Sequence, residues 1–304
     1  MTEVSGSSRL SSLPSKLDLR VERDGSFSDL GLLSHAQAGQ LVYVRDASAL
    51  EGAPVLAAFC VLSPIELVSK IGATAGLATA ADAERAFYRV HEYLARETDF
   101  YWRDFASEID PSARIHPRAF VAERGVRVGP RVVIEANATV LERVSIGADT
   151  IVRAGAVLGG EGFEFKARAV HQHRWGKEAE TIDGVQAITH AGSVVVGARV
   201  EIQANTVVDR ALFRRPTRIG NESKIDNLVH IAHSVEIGER CLIVAGAIIA
   251  GSASIGDDVW IGPGAVVSSG VRVGDRASVV LGTRVVRDVA ADSRVSGDLR
   301  VFPT

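Results

Sequence analysis

The sequence predicts a mainly β protein: a coil of short parallel strands with a triangular cross-section, preceded by a small α/β domain. Three observations carry this. An aliphatic residue recurs at every sixth place from Ile219 to Val285 without a break. Four places after each of these stands a small or β-branched residue, from Ser223 to Val289. Gly220, Gly238, Gly256 and Gly274 each follow a ladder residue and lie eighteen apart. A period of six fits neither an amphipathic helix nor an alternating strand. It fits flat strands joined at corners, and three hexads per eighteen residues make one turn of a prism. The recurring glycine marks a tight corner, because it tolerates φ > 0.

The elements follow in order. Residues 1–16 are Ser-rich and read as a disordered tail. Residues 17–80 alternate strand-like runs (LVYV, PVLAAFCVL) with turn residues. In residues 81–98, Ala86, Phe87, Val90, Tyr93 and Leu94 fall at helical spacing. The expected division is therefore a small α/β domain with a linking helix over 17–100 and the coil over 101–304. The six-residue ladder begins at Ile115 and Val121 and runs from Val128 to Leu158. Residues 159–191 fit no rung; Val196, Ile202 and Val208 resume the pattern, and RALFRRPT at 210–217 breaks it again. Long loops on a rigid repeat are where function concentrates.

Composition narrows the class. Of 304 residues 46% are hydrophobic and 23% charged, which excludes a mainly disordered chain. The net charge of −3 gives no electrostatic footprint for nucleic acid. Two cysteines, Cys60 and Cys241, support neither a disulfide framework nor a four-cysteine zinc site. No apolar run approaches the length of a membrane span, and MTEVSGSSRLSSLPSK lacks the apolar core of a signal peptide. The expectation is a cytoplasmic protein.

Hexad triplets of this kind resemble the hexapeptide-repeat acyltransferases. That resemblance implies a left-handed parallel β-helix. The left hand comes from the resemblance alone, since it runs against the usual right-handed crossover. The segments LGGEGFEF, VEIQANTVVDRAL, IGNESKIDNLVHIAHSVEIG and IIAGSASIGDDVWIG narrow it further. They resemble the UDP-3-O-acylglucosamine N-acyltransferases of lipid A, hence lipopolysaccharide, biosynthesis. DLGLLSHAQAGQLVYVRDASALEGAPVLAAFCVLSP is similar to that family's N-terminal nucleotide-binding domain. The resemblance implies transfer of an acyl group to the amine of a nucleotide-activated amino sugar. The acyl thioester, on acyl carrier protein or coenzyme A, is a co-substrate and no bound cofactor is expected. A homotrimer with sites between subunits is also implied.

Candidate residues follow. His233 stands two places after the inward Ile231 and so projects outward. A histidine suits proton transfer near neutral pH, and the resemblance makes this one the general base. Gly251 lies eighteen residues on, one coil above, about 4.8 Å away. Its N–H is placed to stabilise an oxyanion, the role the resemblance assigns to it; a plain turn glycine is the other reading. His230 also points outward, to orient substrate or to sit at a subunit interface. Asp226 and Asn227 either fix the imidazole or the sugar, or stabilise a corner. In the interruption, Phe163 and His190 are candidate substrate contacts, and the resemblance implies that this segment covers substrate across a subunit boundary. His171 and His173 without a third ligand read as loop residues rather than a metal site, and no metal is expected. Tyr43 stands where the family stacks an aromatic on uracil; a core tyrosine is the alternative.

Two further functional readings remain. One keeps the fold and transfers a short acyl group from coenzyme A to an amino sugar of a surface glycan. The other is a non-catalytic nucleotide-sugar-binding trimer, which has no need of His233. A trimeric β-helix metalloprotein would need three zinc histidines on adjacent coils, and the prism offers only His230 and His233 close together.

Overall fold

The computed structural model describes residues 6–33, 36–51, 56–167 and 185–297. The chain divides into two units: residues 1–103 with 163–191, and residues 104–162 with 192–304.

The second unit is a left-handed parallel β-helix of hexapeptide repeats. Its three flats are parallel sheets of eight, eight and nine strands. The first flat runs from Phe120–Val121 to Arg284–Val285 and the second from Glu108–Ile109 to Arg272–Val273. The third runs from Arg114–Ile115 to Arg294–Val295. Register follows the repeat: Ile225 pairs with Ile243, Ile243 with Ile261 and Ile261 with Val279, each eighteen residues on. The two breaks are loops inserted between coils, so Ile146 pairs with Val196 and Val208 with Ile231.

Both ladder rows face inward. Ile219 through Val285 are at most 5% exposed, and the second row from Ser223 to Val289 fills the space beside them. Polar members of that second row are not orphaned. Ser223 Oγ donates to Gly238 O (2.8 Å) and accepts from Cys241 N–H (3.0 Å). Thr150 and Thr206 bond neighbouring coils in the same way. Each hydroxyl thereby offsets the cost of burying a polar group.

One corner carries a charge ladder. Arg131, Asp149, Arg199, Glu222, Arg240, Asp258, Arg276 and Asp292 follow one another coil by coil and alternate in sign. All eight adopt left-handed backbone, φ 55–64°, which costs a side-chain-bearing residue roughly 1 kcal/mol. Bonds across the coil spacing offset that. Arg131 Nε–Asp149 Oδ1 is 2.6 Å, Arg240 Nε–Asp258 Oδ1 is 2.7 Å and Arg276 Nε–Asp292 Oδ1 is 2.6 Å, while Arg199 pairs with Glu222.

The first unit is built on a five-stranded sheet. Arg20–Arg23 pairs antiparallel with Gly76–Thr79, and Cys60–Ser63, Gln40–Tyr43 and Asp29–Leu30 continue it in parallel. The helix Ala83–Glu97 packs on the sheet through a stripe that includes Ala86, Phe87, Val90 and Leu94. Asp82 caps it by accepting the Arg85 N–H at 2.9 Å. Among the described residues no helix is long and apolar enough to cross a membrane.

Two expectations need correction. The Ser-rich start is ordered over Ser8–Leu17. Ser8–Arg9 pairs with Ser26–Phe27, Leu10 and Leu17 are buried, and Arg9 and Ser11 bond the Asp24 carboxylate, which together fix it. The interruption, expected as part of the prism domain, groups from residue 163 to 191 with the first unit. Thr189 explains the attachment: its N–H donates to Glu92 Oε1 (2.7 Å) and its carbonyl accepts from His91 Nε2 (2.7 Å). His91 is fully buried, and its Nδ1 lies 2.8 Å from the Tyr101 hydroxyl. The ring is therefore neutral with its proton on Nε2, and burial holds its pKa below the usual histidine value.

Candidate active site

The strand His230–Ile231 lies on the first flat, with Ile231 wholly inside. The chain then turns a corner at Ala232–His233–Ser234, where Ser234 has φ 59°. Ile231 pairs with Ile249, so Gly251 stands beside His233 on the next coil. Ser252 N–H donates to His233 O at 3.0 Å, locking the two corners together. His233 is half-buried, with Nδ1 shielded from solvent. Its Nε2 edge faces Gly251: a methyl group built there would lie 2.7 Å from Nε2 and 2.8 Å from Cε1. The glycine is needed here for close approach of a ring, whatever its backbone angles.

The Gly251 N–H makes no hydrogen bond among the described residues. At the equivalent turn position elsewhere, side chains cap the amide: Asp257 Oδ1 accepts from Glu239 N–H at 2.8 Å, and Asp275 Oδ1 from Asp257 N–H at 2.9 Å. The inserted loop 210–217 is tied to this corner, since Ser234 N–H donates to Thr217 Oγ1 (2.8 Å) and Leu212 N–H to Ser234 Oγ (3.4 Å).

Sequence reasoning missed Asp209. It ends the strand Val207–Asp209, one coil before His230 and two positions nearer the His233 corner. Its carboxylate is 3.7 Å from His230 Nε2, with side-chain exposures of 8% for Asp209 and 44% for His230. Burial raises the Asp209 pKa to about 6, and the His230 imidazole opposes the rise. The neighbouring guanidinium of Arg210 is engaged elsewhere, by Glu142 (3.0 Å) and Glu161 (2.8 Å).

Asp226 and Asn227 stand on another corner, at the far end of the His230 flat, and their side chains serve turns. Asp226 Oδ1 accepts from Asn227 N–H (2.7 Å) and its Oδ2 from Ala245 N–H (3.0 Å). Asn227 Oδ1 accepts from Ala204 N–H at 3.2 Å.

The remaining candidates belong to the first unit. Tyr43 packs against Phe87 and Tyr88, ring centroids 5.1 and 6.4 Å away, and burial raises its phenol pKa. Lys166 of the interruption lies 4.9 Å over the Tyr88 ring and 3.7 Å from Glu84. Phe163 is 89% exposed and touches Phe165, whereas His190 is buried. His171 and His173 lie outside the described residues. Among the described residues no three His, Cys, Asp or Glu side chains converge as metal ligands.

The family model "Bacterial transferase hexapeptide (six repeats)" matches residues 125–160, 216–251 and 252–285. The UDP-3-O-acylglucosamine N-acyltransferase of Maricaulis maris is 33% identical over 247 residues, covering 71% of this chain and 62% of its own. That of Anaeromyxobacter dehalogenans is 40% identical over 131 residues, covering 43% and 34%. The chain thus spans about three-fifths of the first relative and a third of the second. Among solved structures, a UDP-N-acetylglucosamine acyltransferase from Arabidopsis aligns with TM-score 0.39 at 21% identity, covering 62% of this chain and 71% of that one. The prism of hexads and the matched repeats are what the chain shares with the bacterial transferase hexapeptide proteins.

Proposed function

We propose that the chain is an N-acyltransferase that moves an acyl group from a thioester to the amine of a nucleotide-activated amino sugar. The carrying observation is the juxtaposition of the His233 Nε2 edge with Gly251, whose N–H has no other hydrogen-bond partner among the described residues. The similarity to UDP-3-O-acylglucosamine N-acyltransferases supports this substrate class.

The geometry suits one sequence of events. The free amine attacks the thioester carbon, and the carbonyl oxygen becomes an oxyanion that accepts a hydrogen bond from Gly251 N–H. His233 Nε2 takes the proton from the attacking nitrogen. Collapse breaks the carbon–sulfur bond, and the imidazolium returns the proton to the thiolate. The thioester is carried on acyl carrier protein or coenzyme A. His230 is a substrate contact of the second unit in this reading and Tyr43 and Phe163 are those of the first, whereas His190 is buried at 1% exposure and the capping bonds of Asp226 and Asn227 favour a role in holding the flat.

The assembly is a homotrimer in this reading. The flat leading to His233 turns Val157, Val207, Ile248 and Val266 away from the core, with His230 between Val207 and Ile248 in the same row and Ile248 42% exposed. The equivalent outer row of the second flat is charged, with Arg127, Arg218, Glu236 and Arg272. An apolar row of this kind calls for cover.

The test is thiol release by wild type and His233→Ala, with UDP-linked amino sugars offered alongside acetyl-coenzyme A and a 3-hydroxyacyl carrier protein. Release that falls roughly 10²–10⁴-fold in the variant is expected. Equal turnover by the two would overturn the assignment. The productive donor distinguishes lipid A chemistry from short-chain acylation of a surface glycan.

A further inference from the structure

We propose that Asp209 and His230 together accept the first of the two protons that the substrate's ammonium group loses. The proposal rests on the N-acyl transfer reading above. An amino sugar is largely an ammonium ion near neutral pH. Turning it into an amide releases two protons, one before attack and one from the attacking nitrogen. The departing thiolate takes up only one, so the balanced reaction consumes ammonium and thioester and yields amide, thiol and one free proton. His233 accounts for the proton that passes from nitrogen to sulfur. The other needs a separate acceptor with a route to solvent.

Asp209 and His230 supply both. The carboxylate accepts no hydrogen bond among the described residues, and at 3.7 Å from His230 Nε2 it stands beyond direct hydrogen-bond distance. It is thus an open acceptor for an N–H of the substrate. Its position two residues nearer the corner than His230 sets it beside the coil that carries His233. The exposure gradient gives direction: a proton taken at the buried carboxyl reaches the less buried imidazole and leaves through the opening that admits substrate, since His230 stands in the row that the trimer reading covers.

The surrounding charges do not cancel the carboxylate. Arg210, next in the chain, is held by Glu142 and Glu161 of the two preceding coils, and the His230 imidazole faces the carboxylate from the following coil. Burial keeps the carboxyl pKa near 6, so it can both take and release a proton under ordinary conditions.

The test is the pH profile of kcat/KM for the full chain, in wild type, Asp209→Asn, His230→Gln and His233→Ala. Asp209→Asn and His230→Gln are expected to lose roughly 10²-fold at pH 6.5. That deficit shrinks towards wild type above the acceptor amine's own pKa, where the amine arrives already deprotonated. His233→Ala stays impaired throughout. Thermal unfolding of each variant confirms the fold. A constant loss at every pH, or full activity at pH 6.5 in a chain that still depends on His233, overturns the proposal alone. No transfer by wild type to any acceptor overturns the underlying reading and this one with it.

Discussion

Arg240 and Asp258 face each other across one coil in a bidentate pair, Nε–Oδ1 2.7 Å and Nη2–Oδ2 2.9 Å, with left-handed backbone at both. An isolated exposed pair contributes little. This one is flanked by Glu222 below and Arg276 above, so each charge has an opposite neighbour on both sides. Arg240→Asp or Asp258→Arg alone is expected to lower the melting temperature. The double exchange is expected to recover only part of it, because each exchanged residue then meets a like charge outside the pair. Scans at low and high salt check this, and the differences shrink as salt screens them.

The same column sets an acid limit. Hydrogen bonds from arginine hold Asp149, Glu222, Asp258 and Asp292 below the usual carboxylate pKa. A depressed folded-state pKa stabilises the fold fully above the unfolded value, about 4, and that contribution is lost as pH falls through the folded value. Melting temperature is expected to drop below about pH 4. Arg276→Gln, which removes the charge from one pair, should flatten the drop.

Asp209 has the opposite sign. Its folded pKa of about 6 lies above the unfolded value. Folding therefore becomes less favourable as pH rises from about 4 through 6. Asp209→Asn should stabilise the chain at pH 8, on the order of 1–3 kcal/mol, with no gain at pH 4. Differential scanning calorimetry at the two pH values reads it out.

Gly251→Ala should cost activity without costing the fold. The added methyl would press within 2.7 Å of His233 Nε2, so the ring must turn aside. A fall in kcat of about 10²-fold is expected, with little change in melting temperature. Thiol release and circular dichroism on the same sample separate the two effects.

Tyr101→Phe should weaken the first unit. It leaves His91 Nδ1 buried without its hydroxyl partner, at a cost of about 1–3 kcal/mol. Hydrogen exchange along Ala83–Glu97 would show the loosening.

The prism was legible because one repeat both positions the core and counts the coils. Every predicted ladder residue from Val128 onward lies inside, and adding eighteen to His233 finds Gly251. The same arithmetic fails for Asp209. Loop 210–217 falls between it and His230, so the paired strands are twenty-three residues apart rather than eighteen. Attachment of residues 163–191 to the first unit was illegible for a related reason. It rests on Glu92, His91 and Lys166 meeting residues some eighty to a hundred places away, which no local pattern records. The start of the chain misled by composition: Ser-rich segments lack apolar mass, but buried Leu10 and Leu17, a strand partner and bonds to Asp24 hold it.

The alternating corner column also gives the prism a parity. Because its signs alternate coil by coil, removing one eighteen-residue turn, such as 239–256, would bring Glu222 against Asp258. Removing two adjacent turns would restore plus against minus. Length in this scaffold is thus quantised in pairs of coils, and shortened or extended versions should tolerate even changes better than odd ones.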